Sequence, residues 1–169
     1  MIRYTIVSTK FGFVGLGGSE SGIALLTLPK SSREAALSEI KEFADDAVDG
    51  TSAFDDLPYR LQRYFDGEQV SFTDSIDLCG ATGFYRDVWN ATRSIPYGET
   101  RTYAWVAQQI GNHRASRAVG GALARNPFPI IVPCHRVVAS NGKLGGFGGG
   151  LALKKRLLEM EAARPDVIS

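Results

Sequence analysis

Cysteine and histidine are scarce in this chain of 169 residues: two cysteines, Cys79 and Cys134, and two histidines, His113 and His135. Two cysteines cannot build a disulfide framework, and the four residues do not fall at zinc-ligand spacing, so no structural metal is expected. Long apolar runs are absent. None approaches the roughly 18 residues that a membrane helix needs, and residues 1–10 lack the basic-then-apolar plan of a signal peptide, so the chain reads as cytoplasmic, or nuclear if its source is eukaryotic, with no membrane partner. An excess of one charge is missing too, since 19 Lys and Arg against 18 Asp and Glu leave a net charge of +1. Disorder is excluded by what is present, 44% apolar and 10% aromatic residues, which is enough to fill a core.

The near-zero total hides a division. Residues 1–78 hold seven basic side chains against thirteen acids, net −6, whereas residues 79–169 hold twelve against five, net +7. Such asymmetry suggests a nucleic-acid or membrane face on one half.

In the acidic half, residues 2–9 and 11–16 are apolar or alternating around a turn at Lys10, with glycines expected to break the chain at 17–18 before a third apolar run at 22–28. This predicts a small antiparallel sheet. Ser31 or Ser32 caps a helix to about Phe43 with Ala35, Leu37, Ile40 and Phe43 on one side, residues 57–65 form a second short helix, and residues 66–78 an extended connector. Gly15, Gly17 and Gly18 lack the Gly-Lys-Ser/Thr of a phosphate loop and read as turn glycines.

From Thr82 the pattern is helical. Phe84, Val88 and Trp89 share a face and Pro96-Tyr97-Gly98 ends the helix; Thr102 caps a second at 103–110, closed by Gly111; Asn112 caps a third at about 114–125, with Ala115, Val119, Ala122 and Leu123 inward. Two short helices around a glycine turn make a helix-turn-helix pattern, which packed core pairs also show. Between Arg86 and Arg136 lie seven arginines and two acids, a composition suited to phosphates.

Residues 126–138, Asn-Pro-Phe-Pro-Ile-Ile-Val-Pro-Cys-His-Arg-Val-Val, carry three prolines and a β-branched run, predicting a stiff, buried, non-helical segment that ends by presenting Cys134 with His135 beside it. A lone cysteine is commonly a small core residue. Here basic surroundings are expected to lower the thiol pKa and favour the thiolate. His135 is a candidate base, in direct contact or through a water. Cys79, in the connector, reads as structural.

Residues 131–137, Ile-Val-Pro-Cys-His-Arg-Val, with Ser116-Arg117-Ala118-Val119-Gly120-Gly121, Asn126-Pro127 and Gly148-Gly149-Gly150-Leu151, resemble the O6-alkylguanine-DNA alkyltransferases, over residues 95–161 without a gap. The resemblance implies an α+β fold: an N-terminal domain at 1–78 with an antiparallel sheet and helices, then a helical domain at 79–169 with a winged-helix-like helix-turn-helix. It implies irreversible transfer of the alkyl group of O6-alkylguanine, and O4-alkylthymine, to Cys134, once per molecule, with no cofactor and no metal. His135 and Glu161 would activate Cys134 through a water, and Asn126 would link the helix pair to the reactive segment. Arg117 would enter the base stack of double-stranded DNA in place of the flipped nucleotide, from the minor groove. Tyr103 would reach the flipped base, Asn112 and Ser140 the DNA backbone, and Pro133, Val137, Phe147 and Gly148 would form the substrate pocket. No obligate protein partner is implied. Phe147 stands where tyrosine is frequent, and Tyr85 where a polar residue is frequent. Lys154-Lys155-Arg156 reads as a solvated helix face.

Two other readings compete. A non-catalytic lesion binder or helix-turn-helix regulator would share the fold but lacks the cysteine in alkyltransferase-like proteins. A cysteine hydrolase would use Cys134 and His135 on acyl substrates.

Overall fold

A computed structural model describes residues 1–162; the last seven residues, which the expected second domain includes, lie outside the described residues. The chain divides into two compact units, Met1–Cys79 and a second that begins at Gly80.

The first unit is built on a four-stranded sheet. Strands β1 (Arg3–Thr9), β2 (Gly12–Ser19) and β3 (Gly22–Leu26) are antiparallel neighbours, and the two-residue β4 (Val48–Asp49) joins β1 in parallel, giving the order β3-β2-β1-β4. The expected break at Gly17 and Gly18 is not there. β2 runs through both to Ser19, with only a register shift between them. Their glycines serve close packing: a Cβ on Gly15 would meet Ile40 Cδ1 at 2.7 Å, and one on Gly18 the Phe54 ring at 2.9 Å. Helix α1 (Arg33–Phe43) starts at Ser32, whose hydroxyl accepts from the Ala35 amide at 3.1 Å, a cap worth about 1 kcal/mol. The face it buries is shifted from the expected one: Ala36 and Ile40 pack with Ile6 and Ala47, and Phe43 is exposed. Helix α2 (Leu57–Phe65) buries Leu57, Leu61, Tyr64 and Phe65. The connector is tied to the sheet, where Ile23 donates to Ser75 O and accepts from the Asp77 amide, and to α2, where Arg60 donates to Ser71 O and to both carboxylate oxygens of Asp74. Cys79 is exposed rather than structural.

In the second unit α3 (Gly83–Arg93) is capped by Thr82, and α4 (Tyr103–Gln109) by Thr102, whose hydroxyl accepts from Trp105 N at 3.0 Å. Gly111 turns the chain with φ +76, a left-handed conformation glycine adopts without strain. Helix α5 (Ser116–Ala124) follows. Asn112 does not cap it through its side chain; its carbonyl instead accepts from Ala115 N in a turn that delays the helix to Ser116. Val119, Ala122 and Leu123 face inward as expected. The two-residue strands β5 (Arg101–Thr102) and β6 (Val137–Val138) pair in parallel, and α6 (Leu151–Ala162) closes the described chain. No described helix is long and apolar enough to cross a membrane.

Candidate active site

Short-range geometry brings Cys134 and Tyr103 together. The β5–β6 ladder pairs Arg101 with Val137 and Thr102 with Val138, so the first residue of α4 lies beside the segment that follows the cysteine. Behind it, Trp89 Nε1 donates to Ala122 O at 3.0 Å and its ring meets Phe128 edge-on at 5.8 Å. One buried indole thus holds both the last turn of α5 and the start of the reactive segment.

That segment is not wholly extended. Asn126 pins its fold, donating from Nδ2 to Val132 O and accepting at Oδ1 from Phe128 N, each at 2.9 Å. Between these two bonds Ile130 has φ +76, a conformation unfavourable for a β-branched residue, maintained by complete burial of the surrounding 128–133. Cys134–Arg136 then form one 3-10 turn. In this turn Cys134 faces a pocket while His135 is fully buried.

The pocket has a volume of about 380 Å³ and is lined by Cys134, Tyr103, Gly120, Leu123, Phe147 and Gly148, among others. Pro133 and Val137, expected in its lining, are buried and are not among its lining residues. The Tyr103 hydroxyl points to Gly146 O at 3.5 Å, and burial raises its pKa, so it keeps its proton and is a donor.

Behind the cysteine lies a charged cluster with almost no solvent access. His135 Nε2 is 2.7 Å from Glu161 Oε2; Arg136 donates from Nε to Glu161 Oε1 at 2.8 Å and from Nη2 to Oε2 at 3.1 Å; the Gly98 amide donates to Oε1 at 3.2 Å. Burial pushes the Glu161 pKa up, but the hydrogen bonds and charges of His135 and Arg136 outweigh it and hold the group at about 2. An ionised carboxylate accepts, so the imidazole proton sits on Nε2 and Nδ1 is the ring's basic nitrogen. Burial lowers the His135 pKa against the pull of Glu161, which keeps the ring neutral and able to take a proton.

Two expectations are corrected here. Burial raises the Cys134 pKa despite the opposing Asn126 amide, Lys154 charge and backbone N–H groups, so the thiol does not ionise unaided in its basic surroundings. Lys154 is not on a solvated face. It is fully buried and donates to Val137 O at 2.6 Å and Gly146 O at 3.0 Å, fastening α6 to β6 and to the pocket loop. Its own pKa is lowered by burial to about 8, against the pull of Cys134. Lys155 and Arg156 are exposed. Sequence reasoning missed Lys154 and Arg136 as site residues. The available signal was the stripe Lys154, Leu157, Glu161 at helical spacing, whose buried apolar centre implies buried charged ends.

The remaining predicted residues lie outside this cluster. Arg117, Asn112 and Ser140 are exposed, Arg117 near the start of α5 and Asn112 in the turn before it. Tyr85 is half-buried and its ring lies 5.5 Å from that of Trp89. Among the described residues no group of three or more His, Cys, Asp or Glu could hold a metal ion.

Comparison with known proteins gives one consistent answer. The family described as 6-O-methylguanine DNA methyltransferase, DNA binding domain, matches residues 83–163. The methylated-DNA–protein-cysteine methyltransferase of Methanosarcina acetivorans is 42% identical over 160 residues, covering 95% of this chain and 98% of that protein; that of Mycobacterium tuberculosis strain H37Rv is 41% identical, covering 97% and 94%. The crystal structure of Mycobacterium tuberculosis OGT in complex with DNA superposes with a TM-score of 0.80 at 40% identity, covering 95% of this chain and 93% of that one. With near-complete coverage on both sides and its cysteine seated in a pocket over a His-Glu pair, the chain belongs to the methylated-DNA–protein-cysteine methyltransferases, the O6-alkylguanine-DNA alkyltransferase family.

Proposed function

We propose that this protein repairs DNA by direct reversal, moving the alkyl group of O6-alkylguanine to Cys134 once per molecule. The observation that carries the reading is the arrangement of Cys134 at the pocket with Tyr103 on its wall and His135–Glu161 behind it. The thiol cannot ionise unaided, so a base is needed. His135 supplies it at Nδ1, through an intervening water, and Glu161 orients the ring and stabilises the imidazolium that forms. Sulfur attacks the alkyl carbon, the carbon–O6 bond breaks, and its electron pair leaves with the guanine, where the neutral Tyr103 hydroxyl offsets the developing charge. The product is a thioether. It offers water no carbonyl to attack, so the protein is consumed.

The partner is double-stranded DNA, bound through the second unit and approached from the minor groove. Small side chains at Ser116, Ala118 and Gly121 let the backbone of α5 approach closely, and Arg117 fills the stack once the base is extruded. Asn112 and Ser140 contact the backbone, Asn126 couples α5 to the reactive segment, and Phe147 and Gly148 wall the base. The same reading covers O4-alkylthymine, and the site of action is where the DNA is, the cytoplasm or, in a eukaryote, the nucleus. The test is incubation with a duplex carrying radiolabelled O6-methylguanine. Label passes to the protein and is lost in Cys134→Ala; binding by the wild type without transfer overturns the proposal in favour of a lesion binder.

A further inference from the structure

Arg136 has no part in the chemistry just described, yet it is buried and makes more contacts to Glu161 than His135 does. Its guanidinium reaches both carboxylate oxygens, Nη1 donates to Ile95 O at 2.8 Å, and the plane lies 5.6 Å from the Tyr97 ring. Five donors in a rigid fork suit this bidentate hold, which lysine cannot reproduce. Burying a guanidinium and a carboxylate costs several kcal/mol of desolvation each before their attraction is counted, so stability alone is a weak reason for the pair. Its consequence for the imidazole is direct. Glu161 Oε2, the oxygen that accepts from His135, also accepts from Arg136, so the negative charge facing the ring is shared.

We propose that Arg136 is a positioning residue for the alkyl transfer: by holding both oxygens of Glu161 it divides the carboxylate charge and keeps His135 an uncharged acceptor toward Cys134. The proposal rests on the reading of His135 as the base. Without Arg136, Glu161 would act on the imidazole alone and would favour imidazolium, whose Nδ1 already carries a proton and can take none from the thiol. The charged and titratable groups around His135 among the described residues are Cys134 and Arg136 on its own turn and Lys154 and Glu161 on α6, with the Tyr97 ring from the turn after α3. Arg136 and Lys154 both oppose the charged imidazole and Glu161 favours it. Removing one of the two opposing cations, the one that also occupies the favouring anion, moves the balance in one direction.

The chain has only two histidines, so ¹⁵N-histidine NMR of the full chain resolves the protonation state and tautomer of His135 without reference to activity. The wild type is expected to show neutral His135 with the proton on Nε2 at neutral pH, and an imidazolium there overturns the proposal. In Arg136→Gln the titration midpoint of His135 is expected to rise by about one pH unit or more, the usual effect of a charge change at this range. The acid limb of the reaction with free O6-benzylguanine rises with it. Arg136→Lys, which keeps the charge but loses the fork, gives a smaller rise in the same direction and serves as the deciding variant if Arg136→Gln does not fold. A midpoint and acid limb that stay in place in the folded variant, with the rate merely lower at every pH, reduce Arg136 to a structural role and overturn the proposal. If instead wild-type protein with neutral His135 does not react with O6-benzylguanine at any pH, it is the alkyl-transfer reading that fails.

Discussion

The two units use charge in opposite ways. In the first, cations are matched to acids near the surface: Arg60 grips both oxygens of Asp74 at 2.8 and 2.7 Å, Lys30 meets Glu39 and Arg63 meets Glu68. Its interior is apolar, from Val14 and Leu16 to Leu61 and Phe65. In the second, Arg136 pairs with Glu161 in the interior and Lys154 is buried against backbone carbonyls, while Arg114 and Arg117 face solvent with no carboxylate partner among the described residues. A domain that matches cations to acids at its surface, carries a net negative charge and is apolar inside is a scaffold. One that leaves cations outside and holds a charged cluster inside is built to meet an anion and to move a proton.

The sharpest way to break this contrast is Glu161→Gln. It leaves the Arg136 guanidinium buried without a counter-charge and is expected to lower stability by about 3–5 kcal/mol, read from the denaturant midpoint. The same group gives a pH signature. Its pKa is depressed in the folded protein to about 2 from an ordinary 4.5, so its stabilisation is complete above the ordinary value and fades as pH falls toward the folded one, a decline that Glu161→Gln should abolish. Next in size is alkylation itself. An alkyl group on Cys134 disturbs the buried hydrogen bonding of its sulfur with the Asn126 amide and nearby backbone groups and is expected to destabilise the protein by roughly 1–3 kcal/mol; an alkylated form that melts at or above the free form would contradict this. Arg117→Ala should then slow repair of duplex by about tenfold or more, some 1.4 kcal/mol, while reaction with free O6-benzylguanine is nearly unchanged. An equal loss on both substrates removes the stacking role. Smallest is Asp74→Asn in the first unit, expected to cost about 1 kcal/mol or less of stability, as partly exposed pairs do, and to leave transfer untouched.

Much of this layout was legible in the residues, for reasons that differ by element. Ser32, Thr82 and Thr102 mark helix starts because a side-chain oxygen followed by a periodic apolar face has few other uses. Cys134, His135, Asn126 and Glu161 stood out through a motif whose resemblance placed Glu161 against His135, a contact 26 residues apart in sequence that no local pattern encodes. The failures share a cause. Gly17 and Gly18 read as breakers, yet β2 runs through both, and Gly18 makes room for the Phe54 ring, a partner far along the chain. Lys154 reads as a solvated cation because its type is almost never fully buried unless paired, and the carbonyls of Val137 and Gly146 that pair it come from other elements. The thiol expectation erred on magnitude. Nearby positive charge does act on Cys134, but burial acts more strongly. The charge division at the middle of the chain, by contrast, was readable by counting alone.

The two cysteines offer the most direct test, since they fall one in each unit: Cys79 exposed at the end of the first, Cys134 in the pocket of the second. Intact-mass and peptide mass spectrometry after incubation with excess O6-methylguanine duplex counts the methyl groups gained and locates them. One group per chain, on Cys134 and never on Cys79, with no further gain at longer times, is the predicted result. Methyl on Cys79, more than one group per chain, or repair of more lesions than there are protein molecules would contradict it.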